Sequence, residues 1–167
     1  TQVLSSAASD VYKRQIVDKA ENLNLDKVTG GRAVVSGHIL TDRADIFAAN
    51  ERGANFLLKN NDGKFYDVAS EYRVDDVIQN GRGTALSDIY YRGRLDILSG
   101  NWLGYHRAYV LKKNVFKDIG NKAFDKPSRI RTIISADFDN DGFDEVFMNN
   151  ISAVSYTHLR AHETSHQ

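Results

Sequence analysis

The side chains best suited to chemistry are the acids of the stretch Asp137-Phe138-Asp139-Asn140-Asp141-Gly142-Phe143-Asp144-Glu145. With Asp137 as position 1, carboxylates fall at positions 1, 3, 5 and 9, and a glycine falls at position 6. Calcium takes roughly six to eight oxygen ligands at about 2.3–2.6 Å in flexible geometry. Alternate side chains of a tight loop converge on one ion, and the glycine permits the sharp turn. The expected ligands are therefore Asp137, Asp139, Asp141 and Glu145 through their side chains and Phe143 through its main-chain carbonyl. The expected cofactor is Ca2+. Without an ion, carboxylates this close repel one another. Asp144 falls out of register and is expected to face solvent. A helix-flanked calcium loop would need a bidentate glutamate at position 12. Met148 stands there, and the flanks read as strands, so the loop belongs to a β-hairpin. A solvated acidic turn without metal is the alternative.

Two other stretches occupy the same place in the pattern. Asp88-Ile89-Tyr90-Tyr91-Arg92-Gly93-Arg94-Leu95-Asp96 keeps positions 1, 6 and 9 but has Tyr90 and Arg92 at positions 3 and 5. The Arg92 guanidinium can take the place of the ion's charge, so this loop is expected to be metal-free. The earlier stretch has His38 at position 1 and is one residue shorter before Asp45; no calcium is expected there.

The elements that must position these loops are repeats, which are sought first because missing them miscalls a fold. Phe65-Tyr66-Asp67-Val68-Ala69 matches Phe116-Lys117-Asp118-Ile119-Gly120, with a third copy in Ile16-Val17-Asp18-Lys19-Ala20; the aspartates recur about every 50 residues. Gly31-Arg32-Ala33-Val34-Val35 aligns with Gly81-Arg82-Gly83-Thr84-Ala85 and with Arg131-Thr132-Ile133-Ile134-Ser135. Each is followed by an acidic turn and a short apolar strand, beginning at Asp45, Asp96 and Glu145. Asn55 to Lys59 and Lys64 to Val68 flank Asp62-Gly63, a strong hairpin signal. Arg107 to Leu111 and Val115 to Ile119 repeat that pair. About four short strands in about 50 residues describe a propeller blade. The expected fold is all-β, a partial β-propeller of about 2.5 blades of four-stranded antiparallel sheet. The blades are placed at about 31–69 and 81–120, with the start of another at 130–153.

Composition narrows the function classes. Lys+Arg and Asp+Glu are both 22, giving a formal net charge of zero, so the basic field that nucleic acid requires is absent. No apolar run approaches the ~20 residues of a membrane span. With no cysteine, disulfides, thiol nucleophiles and cysteine zinc sites are excluded. The segments 1–15 and 154–167 do not continue the repeat and resemble translated sequencing-adapter DNA. They are set aside as non-native, leaving 16–153 as the repeat region. His158, His162 and His166, spaced as on one helix face, belong to the excluded segment and are not read as a metal site.

Among other candidates, Trp102, Tyr105, His106 and Arg107 cluster after a strand end and are read as packing between blades rather than a hot spot. His106 is read as structural. Asp75-Asp76 reads as a solvated turn. Gly81-Arg82-Gly83 lacks the helix and Lys-Ser/Thr of a phosphate loop.

The acidic loop with its following strand, the Phe-x-Asp-Val/Ile closing strand and the Asn-Phe-Leu hairpin resemble FG-GAP (VCBS) repeats. Gly81–Asp88, Gly100–Arg107 and Arg131–Asp141 through Ile151 are most similar to the cartilage acidic protein family and its bacterial relatives with an ASPIC/UnbV domain. The resemblance implies a seven-bladed, calcium-binding, secreted propeller with adhesive or matrix roles. In a bacterium it would be periplasmic or on the outer surface. It implies a protein or carbohydrate ligand at the cell surface or matrix, and no enzyme. This chain departs from the family in having too few blades to close a ring and no ASPIC/UnbV domain. A fragment with two open blade faces is expected to fold poorly alone. The alternatives are an enzyme on a propeller scaffold, with its active site in other blades, and a purely structural spacer.

Overall fold

The computed structural model describes residues 18–151 and the backbone of 155–157. The 1–15 segment and His158, His162 and His166 lie outside the described residues. Eleven strands form three antiparallel sheets. The first is β1 (Gly31–Gly37), β2 (Asp45–Asn50), β3 (Phe56–Asn61) and β4 (Lys64–Asp67) in the order β1-β2-β3-β4. The second is β5 (Gly81–Ser87), β6 (Asp96–Asn101), β7 (Arg107–Lys112) and β8 (Val115–Asp118), again in chain order. The third holds β9 (Ile130–Ala136), β10 (Glu145–Asn150) and β11 (Ser155–Thr157). Each sheet is a meander, and the chain is a partial β-propeller with one sheet per blade.

Local sequence explains the meander. Asp62 and Gly63 have φ of 51° and 88°, the paired positive angles that a two-residue hairpin between right-twisted strands needs. The recurrent Phe-x-Asp is a closing device. Asp67 Oδ1 accepts the N–H groups of Leu57 (3.3 Å) and Ala69 (3.0 Å). Asp118 Oδ1 accepts those of Ala108 (3.1 Å) and Gly120 (3.0 Å), and Asp18 Oδ1 accepts that of Ala20 (2.9 Å). One short side chain thus ties the end of the outermost strand to the strand beside it and starts the next connection.

One element was not expected from periodicity. Ala69–Tyr72 forms a single turn of helix, α1, too short for a 3.6-residue pattern to show. It buries Ala69 and sets Tyr72 against Phe116 of the next blade, with ring centroids 6.4 Å apart.

The cores lie between blades rather than within them. Phe47, Leu57 and Val74 pack with Ile97, Tyr109 and Phe116 between the first two blades. Leu98, Ala108 and Phe124 pack with Ile133, Val146 and Met148 between the second and third. Adjacent residues Ile97 and Leu98 point to opposite neighbours because strand side chains alternate, which is why β6 is buried along its whole length. Each of these fully buried side chains contributes roughly 2 kcal/mol.

The first strands of successive blades crowd together. A Cβ on Gly83 of β5 would lie 2.8 Å from the Ile133 backbone nitrogen and 2.9 Å from Thr132 Cα of β9. Main chain cannot yield as a side-chain tip can, so Gly83→Ala is expected to cost about 1–3 kcal/mol. Urea unfolding beside Gly53→Ala, whose Cβ meets nothing within 4 Å, checks this. Equal midpoints for the two variants would refute the close approach.

Candidate metal centre

The loop between β9 and β10 holds the acidic stretch. Asn140 at φ 59° and Gly142 at φ 90° turn the chain twice through the left-handed region, which Asn tolerates and Gly adopts freely. The turn folds back on its first residue. Asp137 Oδ1 accepts the Asp141 N–H (3.0 Å) and Oδ2 the Gly142 N–H (2.9 Å), while Asp139 Oδ1 accepts the Asp141 N–H at 3.1 Å.

This folding brings Asp137, Asp139 and Glu145 together, one oxygen from each lying within 4.8 Å of the others. Asp139 is exposed, whereas Glu145 is 6% exposed at the start of β10. Glu145 Oε2 accepts the Phe138 N–H at 2.9 Å, but its Oε1 is buried without a hydrogen-bond partner. A buried carboxylate oxygen left unmatched is costly, and a cation shared with Asp137 and Asp139 supplies the missing partner. The donors are all hard oxygens, which suit Ca2+ or Mg2+ rather than a soft metal. The residues present therefore fit a divalent cation.

Not every expected ligand joins the group. Asp141 lies outside the converging trio, at the crest of the turn, and its Oδ1 accepts the Phe143 N–H at 2.9 Å. The Phe143 ring packs edge-on against Tyr91 of the second blade, at 5.0 Å between centroids. Asp144 does not face solvent as expected. It is half-buried, and its Oδ2 accepts the hydroxyls of Ser87 (2.6 Å) and Ser135 (3.4 Å). Reasoning within one strand missed this because Ser87 belongs to the neighbouring blade. The acidic loop is thus joined to the second blade at two points.

The three loops satisfy their position-9 acid differently. In the first blade, fully buried Asp45 accepts the N–H groups of Leu40 (2.7 Å), Thr41 (2.8 Å) and Asn60 (2.8 Å). In the second, Arg92 Nη2 meets Asp96 Oδ1 at 2.7 Å. The Arg92 N–H donates to Asp88 Oδ1 at 2.8 Å, and its Nη1 donates to the Leu111 carbonyl at 2.9 Å. The guanidinium stands where the third loop presents open carboxylates. Asp96 Oδ2 also lacks a partner, but the ionic contact is already made on Oδ1.

The aromatic cluster at the other end of β6 is structural. The Asn101 N–H donates to His106 Nδ1 (3.0 Å), so Nε2 carries the proton and donates to Ser128 Oγ (2.9 Å). Ser128 in turn donates to Asn150 Oδ1, tying the second blade to the third. Burial pushes the His106 pKa down to about 4, against a weaker upward pull from Asp125. In the first blade, Asn55 Oδ1 does the same work, accepting the Asn50 N–H at 3.0 Å. Asp76 is not the solvated turn residue expected. It lies beneath Arg107 Nε (3.4 Å) and Asn101 Nδ2 (3.2 Å), and burial raises its pKa.

Residues 88–148, from the loop carrying Arg92 to the strand after the acidic loop, match the FG-GAP-like repeat family. The chain is 48% identical over 157 residues to "Cartilage acidic protein 1" of Xenopus tropicalis, covering 89% of this chain and 24% of that protein. It is 48% identical over 141 residues to the Homo sapiens protein of the same name, covering 81% of this chain and 21% of that protein. The chain spans about a quarter of the length of the curated relatives it matches. It is therefore a stretch of FG-GAP-like repeat sequence, folded as propeller blades and similar over most of its length to part of cartilage acidic protein 1.

Proposed function

We propose that this chain is part of an extracellular binding module in which Ca2+, held by Asp137, Asp139 and Glu145, fixes a surface turn and takes no part in a reaction. The observation that carries it is the convergence of three carboxylate oxygens within 4.8 Å, one of the residues being buried Glu145 with an unpartnered Oε1. The ion would neutralise the carboxylates and hold the turn that carries Phe143 and Asp144 against the second blade. Weak calcium loops with dissociation constants of roughly 10⁻⁴–10⁻³ M suit calcium-rich extracellular settings. The similarity to cartilage acidic protein 1 supports that location, and no helix among the described residues is long and apolar enough to cross a membrane. A non-catalytic role, with a protein or carbohydrate ligand at the cell surface or matrix, is supported by His106, whose two nitrogens are both engaged within the fold.

The test is calorimetric titration of the full chain with CaCl2, beside Asp139→Ala and Glu145→Gln. One calcium per chain is expected, with binding weakened at least about a hundredfold in each variant. No heat and no melting shift in millimolar calcium, from a chain that circular dichroism shows to be folded, would reduce the loop to an acidic turn.

A further inference from the structure

The ends of the strands opposite the acidic loop carry a second arrangement. Arg32, Arg82 and Arg131 occupy one repeat position, the residue at the irregularity where the first strand of each blade slips register against the second. The residue after the last asparagine of each second strand is Glu51, Trp102 or Ile151. In the first two blades it lies between the arginine of its own blade and that of the next. Glu51 pairs with Arg32 and, at 2.6 Å, with Arg82. Trp102 has the guanidinium carbons of Arg82 at 5.2 Å and Arg131 at 4.9 Å from its ring centroid. The result is a row, Arg32–Glu51–Arg82–Trp102–Arg131, running across three blades.

The row is unbalanced. It contains three guanidinium groups and one carboxylate, and Arg52 adds a further positive charge beside Glu51. At the Trp102 end, the cations are met by an indole face, which attracts them but carries no countercharge. The Arg82 side chain is 15% exposed, and its Nε is buried without a partner. Arg131 is exposed. The whole chain has zero formal net charge, so this is a local positive field rather than a general one.

We propose that this row is a docking site for an acidic polysaccharide, whose sulfate or carboxylate groups bind Arg82 and Arg131 beside Trp102. Guanidinium forks match these oxyanions in bidentate geometry. A partly exposed indole beside them offers apolar surface to a sugar ring, which a peptide carboxylate does not need. The row crosses blades, so successive acidic groups of one polymer meet successive arginines. It lies at the far end of β9 from the acidic loop, about 17 Å away at ~3.3 Å per residue. This names a ligand class for the binding module proposed above, but it does not depend on the metal.

The experiment measures binding of the full chain to immobilised dextran sulfate, polygalacturonate and polyglutamate at 0.15 M salt, with inorganic sulfate as competitor. Arg131→Gln, Trp102→Leu and the control Lys117→Gln, on exposed outer strand β8, are run alongside. Arg131 is exposed, so its variant keeps the fold intact even if others do not. Binding to one or both polysaccharides is expected, weakened about tenfold by Arg131→Gln, the scale of one lost charge-assisted contact, and unchanged by Lys117→Gln. Equal losses in Arg131→Gln and Lys117→Gln, or no polysaccharide binding, would overturn the proposal. Polyglutamate bound as tightly as the polysaccharides would reassign the row to an acidic peptide. Displacement by millimolar sulfate with no polymer retained would leave only a free-anion site. Calcium titration of the same samples separates this proposal from the metal reading, since either can fail alone.

Discussion

Arg92→Ala is expected to destabilise the chain by about 2–3 kcal/mol, although Arg92 lies in a surface loop. The loss comes from what the side chain leaves behind. Asp96 is 1% exposed, and removing one partner of a buried ion pair typically costs about 3–5 kcal/mol. The lower figure applies because the Arg92 side chain is itself 37% exposed. Burial already pushes the Asp96 carboxyl up and Arg92 draws it down. Without Arg92 the folded-state pKa rises further above the unfolded value. A raised carboxyl binds its proton more tightly in the fold, so the penalty is absent at low pH and opens as pH rises through the raised pKa. Urea unfolding at pH 4 and pH 8 reads both effects. A variant as stable as the parent at pH 8, or equally destabilised at both values, would show that Arg92 does not hold the Asp96 charge.

The second large effect is a pH dependence carried by His106. Its imidazole is fully buried and neutral, with a pKa of about 4 against an ordinary 6.5. The folded value is lowered, so the unfolded chain binds the proton more readily between the two. The stability contributed by the neutral ring is present above about pH 6.5 and is lost as pH falls towards 4. The shift corresponds to about 2 kcal/mol over that window. The first blade supplies the control, since Asn55 fills the same place with an untitratable acceptor. His106→Asn is expected to flatten stability between pH 6.5 and 4.5 relative to the parent. Parallel curves for the two chains would mean that other groups carry the acid sensitivity.

What could be read in the sequence was what the chain determines locally. The hairpin at Asp62-Gly63 depends on two dihedral pairs. The Phe-x-Asp recurrence depends on a side chain reaching a backbone N–H two residues away. The convergence of Asp137, Asp139 and Glu145 depends on alternation within one turn. What escaped depends on which blade stands beside which. Asp144 meets a serine 57 positions earlier, Asp76 is covered by Arg107 from 31 positions later, and Arg82 lies between Glu51 and Trp102 from two different blades. Position 5 shows both sides of this: Arg92 could be assigned to the ion's place because its partner Asp96 is four residues away, whereas Asp141 turned out to cap Phe143 at the crest of its turn.

The position-9 acid in the three loops also bears on how such chains can diverge. Asp45 is held by amides, Asp96 by an arginine, and Glu145 is left open to a cation, yet the hairpin is the same each time. The backbone is therefore indifferent to which counter-charge arrives, and mutations that swap one for another meet no topological barrier. A lineage can pass from an ion-dependent blade to an ion-independent one through a change such as Asp to Arg at position 5, keeping a folded hairpin at each step. Sensitivity to calcium would then be an adjustable trait of each blade, inherited separately from the architecture.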